Sequence, residues 1–169
     1  MAISKIGTNS IDTLTSISFA ASQTASADAN TLDDYEEGLA TMAFSTGAGS
    51  ATIKTANDSL AYTKIGRMVQ INGQIAVDSV SSLGTGNTLQ ITGLPFAAAN
   101  LTDTAGRSGF FIMHDAADNV TDGREIIGFV NEGGSVINVY EQNLNGASNH
   151  AEHLKANTAF YFSFTYNTT

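Results

Sequence analysis

The chain has no cysteine and no tryptophan, a single proline in 169 residues, and 7 Lys and Arg against 16 Asp and Glu. Without cysteine, neither a disulfide framework nor a thiolate metal site can form. Without tryptophan, the favoured stacking platform for sugar rings is missing. The few basic residues are scattered singly, so no patch exists to neutralise phosphates or to dock on anionic lipid. Nucleic acid and membrane insertion are therefore not expected. Charged residues make up only 14% of the chain, against roughly 25% in an average soluble domain. Thr, Ser, Asn and Gly must cover the surface instead. No apolar run approaches the length of a membrane span. Asn9, Ser10, Asp12, Thr13, Thr15 and Ser16 interrupt any apolar core of a signal peptide, so the chain is expected to be made in a cytoplasm and to stay soluble there.

What is present is unevenly placed. Five of the 16 carboxylates lie between Asp28 and Glu37, closing on Leu-Asp-Asp-Tyr-Glu-Glu-Gly. Residues 1–37 have six acids and one base (−5), whereas residues 38–169 have ten acids and six bases (−4). This break divides the chain into an extended N-terminal segment with an acidic hinge (residues 1–37) and a head (residues 38–169). The first 24 residues make a poor helix, because β-branched residues, Thr and Ser dominate them. Their isolated apolar residues, Ile3, Ile6, Ile11, Leu14, Ile17 and Phe19, are the candidate anchoring set. They would line a three-stranded axis or plug an extended tail into a neighbour, ordering on assembly.

Beyond Gly38 the periodicity is that of strands. Val69, Ile71, Ile75 and Val77 share one parity, with Gln70, Asn72 and Gln74 on the other. A turn at Asn72-Gly73 would set Ile71 opposite Gln74 and mix polar with apolar on one face, so one continuous strand is expected. The opposite holds at Glu132-Gly133-Gly134-Ser135. A tight hairpin there pairs Val130 with Ile137 and Ile127 with Tyr140. Phe160, Phe162, Phe164 and Tyr166 form one face of a last strand, and Leu89 and Ile91 lie in a short one ended by Gly93 and Pro95. With Thr41–Phe44, Ala51–Lys54 and Leu60–Ile65, eight or nine short strands are expected, in an all-β sandwich, jelly roll or barrel. The one candidate helical turn is Ala147–Lys155. Phe110–Met113 and Ile126-Ile127 are apolar on both parities, which a lone sandwich does not need. A second copy of the chain is the simplest cover.

Candidate chemistry is sparse. Asp28, Asp33, Asp34, Glu36 and Glu37 are oxygen ligands suited to calcium, but the EF-hand spacing is absent and a solvated hinge explains them. Asp115, Asp118, Asn119 and Asp122 read as a solvent loop. His150 and His153 flank Glu152 without a third ligand at zinc spacing, so these two and His114 are expected at the surface. No nucleophile elbow or phosphate-binding glycine loop occurs. No cofactor, metal or catalytic residue is assigned, and no enzyme activity is expected. The Asn-x-Ser/Thr triplets at Asn57, Asn100, Asn119 and Asn167 arise readily in so polar a chain.

Ala25-Ser-Ala-Asp-Ala-Asn-Thr-Leu-Asp-Asp-Tyr-Glu-Glu-Gly38 resembles the junction segment of bacteriophage virion proteins described as tail-fibre or fibre-like. The likeness continues at Tyr62-Thr-Lys-Ile-Gly66, Val69-Gln-Ile-Asn-Gly73, Ile91-Thr-Gly-Leu-Pro-Phe96 and Phe162-Ser-Phe-Thr-Tyr166. It implies three-fold symmetry and residence on the virion. The expectation is thus a non-enzymatic virion protein, a homotrimeric short fibre or capsid decoration protein. A jelly-roll-like head would be anchored through its N-terminus to capsid or tail proteins. Fewer than forty residues precede the head, which favours this over a shafted fibre. The alternative is a tail fibre or adhesin whose head loops, near Asp103–Gly106, Asp115–Gly123 and Asn143–Lys155, bind a host glycan or surface protein.

Overall fold

The alternation from Val69 to Val77 builds the longest strand of the molecule. In the computed structural model, which describes residues 35–84, 88–117, 125–143, 146–148 and 151–169, this strand, β5, runs unbroken from Met68 to Ser81. Val69, Ile71, Ile75 and Val77 are fully buried. Gly73 does not turn the chain. It adopts φ +138°, and a Cβ there would sit 2.9 Å from Leu60 Cδ2, so the glycine admits a neighbouring side chain.

Before β5 come β1 (Tyr35–Thr41), β2 (Ala43–Thr46), β3 (Ser50–Ile53) and β4 (Ser59–Ile65). After it come β6 (Leu89–Thr92), β7 (Ser108–Phe111), β8 (Met113–Asp115), β9 (Glu125–Val130), β10 (Val136–Asn143), β11 (Gly146–Ser148) and β12 (Ala159–Asn167). They form two antiparallel sheets. Sheet A has the order β1-β4-β5-β12-β8, with β3 also on β5; sheet B has the order β2-β6-β10-β9-β7, with β11 also on β10. The all-β sandwich expected from the sequence is present. It has twelve strands among the described residues rather than eight or nine, because two runs each supply two strands and β11 falls partly where a helical turn was expected.

Those two runs close the sandwich at its sides. Thr41–Phe44 is not one strand: β1 lies at the edge of sheet A, β2 at the edge of sheet B, and buried Met42 stands between them. Phe110–Met113 divides likewise, from β7 of sheet B into β8 of sheet A across buried Ile112. At both corners the crossing residue keeps its amide bonded, Met42 N to Asp58 O at 2.7 Å and Ile112 N to Ile126 O at 3.0 Å. A strand that bends from one sheet to the other leaves a single side chain pointing into the gap. An apolar one fills it.

The hairpin at Glu132–Ser135 has the expected register, Val130 opposite Ile137 and Ile127 opposite Tyr140. Phe160, Phe162, Phe164 and Tyr166 face the core together from β12. Phe110 of sheet B stacks on Phe164 of sheet A, with centroids 3.8 Å apart and rings 5° from parallel. Short 3₁₀ turns occur at Thr55–Asn57, Thr102–Thr104 and Ala151–His153. The last is what remains of the helical turn expected over Ala147–Lys155, since Ala147 lies in β11.

Candidate interaction face

The described part of the junction segment, Tyr35–Gly38, meets residues of the other four segments at one end of sheet A. Gly38 stands opposite Tyr62 in the β1–β4 register, and a Cβ on it would come 2.9 Å from the Tyr62 hydroxyl. That hydroxyl donates to Glu36 Oε1 at 2.6 Å. The Tyr62 ring packs edge-on against Phe96 at 5.6 Å, and Lys64 Nζ lies 5.4 Å from the same ring, within cation–π range. Val69 pairs with Lys64, and Tyr166 donates to the Phe96 carbonyl at 2.9 Å. Lys64 is buried. These residues fasten the first strand to the sandwich, so Glu36 and Glu37, read from sequence as hinge, belong to β1. The Glu36 carboxylate, by accepting the Tyr62 hydrogen bond, raises that phenol above its usual pKa, as Glu37 does for Tyr35.

Elsewhere the polar groups are structural too. Glu132 Oε1 accepts from Gly106 N at 2.9 Å and Leu101 N at 3.3 Å, fixing the Asp103–Gly106 loop, where Asp103 and Thr104 have positive φ. His153 is not at the surface. It is buried, with Nε2 3.6 Å from Oε2 of Glu141, itself buried on β10. Glu141 holds an inward position of β10, beyond Ile137 and Val139, where alternation alone would place a third aliphatic. His114 is a half-buried strand residue of β8 opposite Phe160. Among the described residues no group of three or more His, Asp or Glu is placed to hold a metal ion, and no helix is long and apolar enough to cross a membrane. The anchoring set Ile3, Ile6, Ile11, Leu14, Ile17 and Phe19 lies outside the described residues, as do Asp28, Asp33, Asp34, Asp118, Asn119, Asp122 and His150. The loops at Asp115–Gly123 and Asn143–Lys155 are described only in part.

The apolar runs leave one surface unlike the rest. Alternation sends Ile126, Gly128 and Val130 inward from β9, and therefore Ile127 and Phe129 outward. Phe111 stands opposite Ile127, and Ile127 opposite Tyr140, giving one cross-strand row. The next row is Gly109, Phe129, Asn138, Gln90 and Ser45. Phe129 and Tyr140 are diagonal neighbours with centroids 5.1 Å apart. Asn138, opposite Phe129, is buried, accepting from Gln90 Nε2 at 2.9 Å and donating to the Phe129 carbonyl at 3.4 Å. Phe111 is 72% exposed and Met113, round the corner on sheet A, 65% exposed. Beside Phe111 is a shallow hollow of about 280 Å³ lined by Gly109, Phe110, Phe111, Ile127, Gly128, Phe129 and Gln142. The only charge on the described outward positions of these strands is Glu125, at the end of β9.

No family model matches the chain, and no curated protein matches it. A solved structure does. The crystal structure of the Dettilon tailspike protein (gp208) superposes with a TM-score of 0.66 over 79% of this chain, at 16% identity. The sandwich is a fold found within a tailspike. This chain spans 23% of that tailspike's length, so the likeness concerns one portion of a larger molecule. The double-parity runs at Phe110–Met113 and Ile126-Ile127 marked the outward face of sheet B in the sequence. Phe129 did not stand out there, because Gly128 separates it from the Ile126-Ile127 run, although alternation along β9 sets its outward position.

Proposed function

We propose that this chain is a non-enzymatic structural protein of a bacteriophage particle, a trimeric short fibre or decoration protein anchored by its N-terminal segment. The observation that carries the reading is the two-sheet sandwich shared with part of a tailspike. The resemblance of the acidic junction and the four β segments to fibre-like virion proteins supports it independently. Four of the described carboxylates are engaged in structural contacts, which supports a role without catalysis: Glu36 and Glu37 accept from tyrosines, Glu132 holds a loop, and Glu141 faces His153. The anchor is assigned to Ile3, Ile6, Ile11, Leu14, Ile17 and Phe19. Each aliphatic buried on docking contributes ~1.5–3 kcal/mol, and three linked anchors gain further through effective concentration.

The test is truncation. A chain beginning at Asp34 keeps all of β1, including the Glu36–Tyr62 bond, and is expected to fold with an unchanged melting temperature but to lose binding to the particle. Retained binding would refute the anchor. A second reading is favoured by the neighbour being a tailspike: a tail-mounted adhesin whose head loops bind a host glycan or surface protein. Purified protein would then adsorb to host cells and compete with the phage, which a decoration protein would not do.

A further inference from the structure

We propose that the outer face of sheet B, centred on Phe111, Ile127, Phe129 and Tyr140, is the surface through which copies of this chain meet. The inference rests on the trimer reading and adds to it the place of contact.

Three observations select a second copy as the occupant. The first is charge. The chain has a formal net charge of −9, so like copies repel wherever carboxylates face one another. The described outward positions of β2, β6, β7, β9 and β10 carry only Glu125, at one end. A basic partner would find only Glu125 as counter-charge here, and an identical acidic chain meets repulsion only at that end of the face. The second is shape. Phe111 projects from the same surface that holds the hollow beside Gly109 and Gln142. At about 280 Å³ the hollow lies just below the usual range for small-molecule pockets, ~300–1,000 Å³. It suits a side chain. Contacts that close a ring join one part of a chain's surface to a different part of the next copy, and Phe111, which is exposed and also lines the hollow, offers a projecting ring beside a recess. The third is position. Phe111 and Met113 flank the corner at Ile112, so the apolar surface continues round the sandwich edge instead of ending at β7.

Size then favours a ring over a pair. Five strands at ~4.8 Å spacing and about five residues at ~3.4 Å give a patch of roughly 400 Å². One partner in a standard interface contributes ~800 Å². An isolated pair would be weak, whereas a closed ring holds each chain at two contacts.

Sedimentation of the full chain at about 10 µM, wild type and Phe111→Asp, tests this, with Ile127→Lys as the second variant and far-UV circular dichroism as the control for folding. The expected result is three copies for the wild type and one for each variant, with unchanged spectra. A folded variant that stays trimeric overturns the assignment of the face and leaves the trimer standing. A monomeric wild type overturns both; in that case loss of host-cell adsorption by Phe111→Asp would give the face to a receptor.

Discussion

Replacing Gly128 by alanine adds one methyl group at a place where the sandwich has no room for it. Gly128 is an inward position of β9, between Ile126 and Val130. A Cβ there would sit 2.6 Å from both Cε2 and Cζ of Phe110 and 3.0 Å from Ile112 Cδ1. Phe110 has little room to retreat, because its ring is stacked on Phe164 at 3.8 Å. Ile112 is the plug of the β7–β8 corner and is held by the amide bond to Ile126 O. Forcing extra volume into such a site costs ~1–3 kcal/mol. For a domain of this size, each kcal/mol lowers the melting temperature by roughly 3–6 °C, so Gly128→Ala is expected to melt roughly 3–18 °C lower. The double variant Gly128→Ala/Phe110→Leu removes the clashing ring edge and should cost less than the sum of the two single changes, the non-additivity expected of groups in contact. Thermal denaturation followed by circular dichroism gives all four values. An unchanged melting temperature for Gly128→Ala, or strict additivity, would refute the account of how the two sheets pack.

Two further perturbations probe the ends of the sandwich. Tyr166→Phe leaves the Phe96 carbonyl without its hydroxyl donor and is expected to lose ~1–3 kcal/mol in urea denaturation. Burial pushes the Tyr166 phenol up to about 12. Because the folded pKa is above the unfolded value of about 10, its contribution is complete below about pH 10 and lost as pH rises from about 10 through about 12. The wild type should therefore weaken over this range more steeply than Tyr166→Phe; parallel profiles would remove Tyr166 as the cause. Glu132→Ala strips the acceptor from the Leu101 and Gly106 amides, at ~1.5–3 kcal/mol for a charge-assisted bond. Limited proteolysis should then cut between residues 101 and 106, and an uncut loop would show that Glu132 is dispensable there.

Whatever depends on local parity could be read from the residues in order. Alternation gathered Val69, Ile71, Ile75 and Val77 on one side of β5 and the aromatics on one side of β12, which pairing sets on the same buried face of sheet A, and register distinguished a turn at Gly134 from none at Gly73. A side chain's face follows from its count along a strand, and that count is visible in one dimension. The unbroken runs were legible only as a surplus of apolar residues. That Phe110–Met113 and Thr41–Phe44 bend between sheets was settled by packing, since Ile112 and Met42 could fill a corner only once both sheets existed. Packing also buried Lys64, Glu141 and His153, which are polar by type and therefore expected in water. Their surroundings come from strands distant in sequence, and only the assembled sandwich sets the contacts that offset their desolvation. The face of sheet B, charged among its described strand positions only at Glu125, is of the same kind: its residues are ordinary one by one, and the grid they make across five strands exists only in the folded chain.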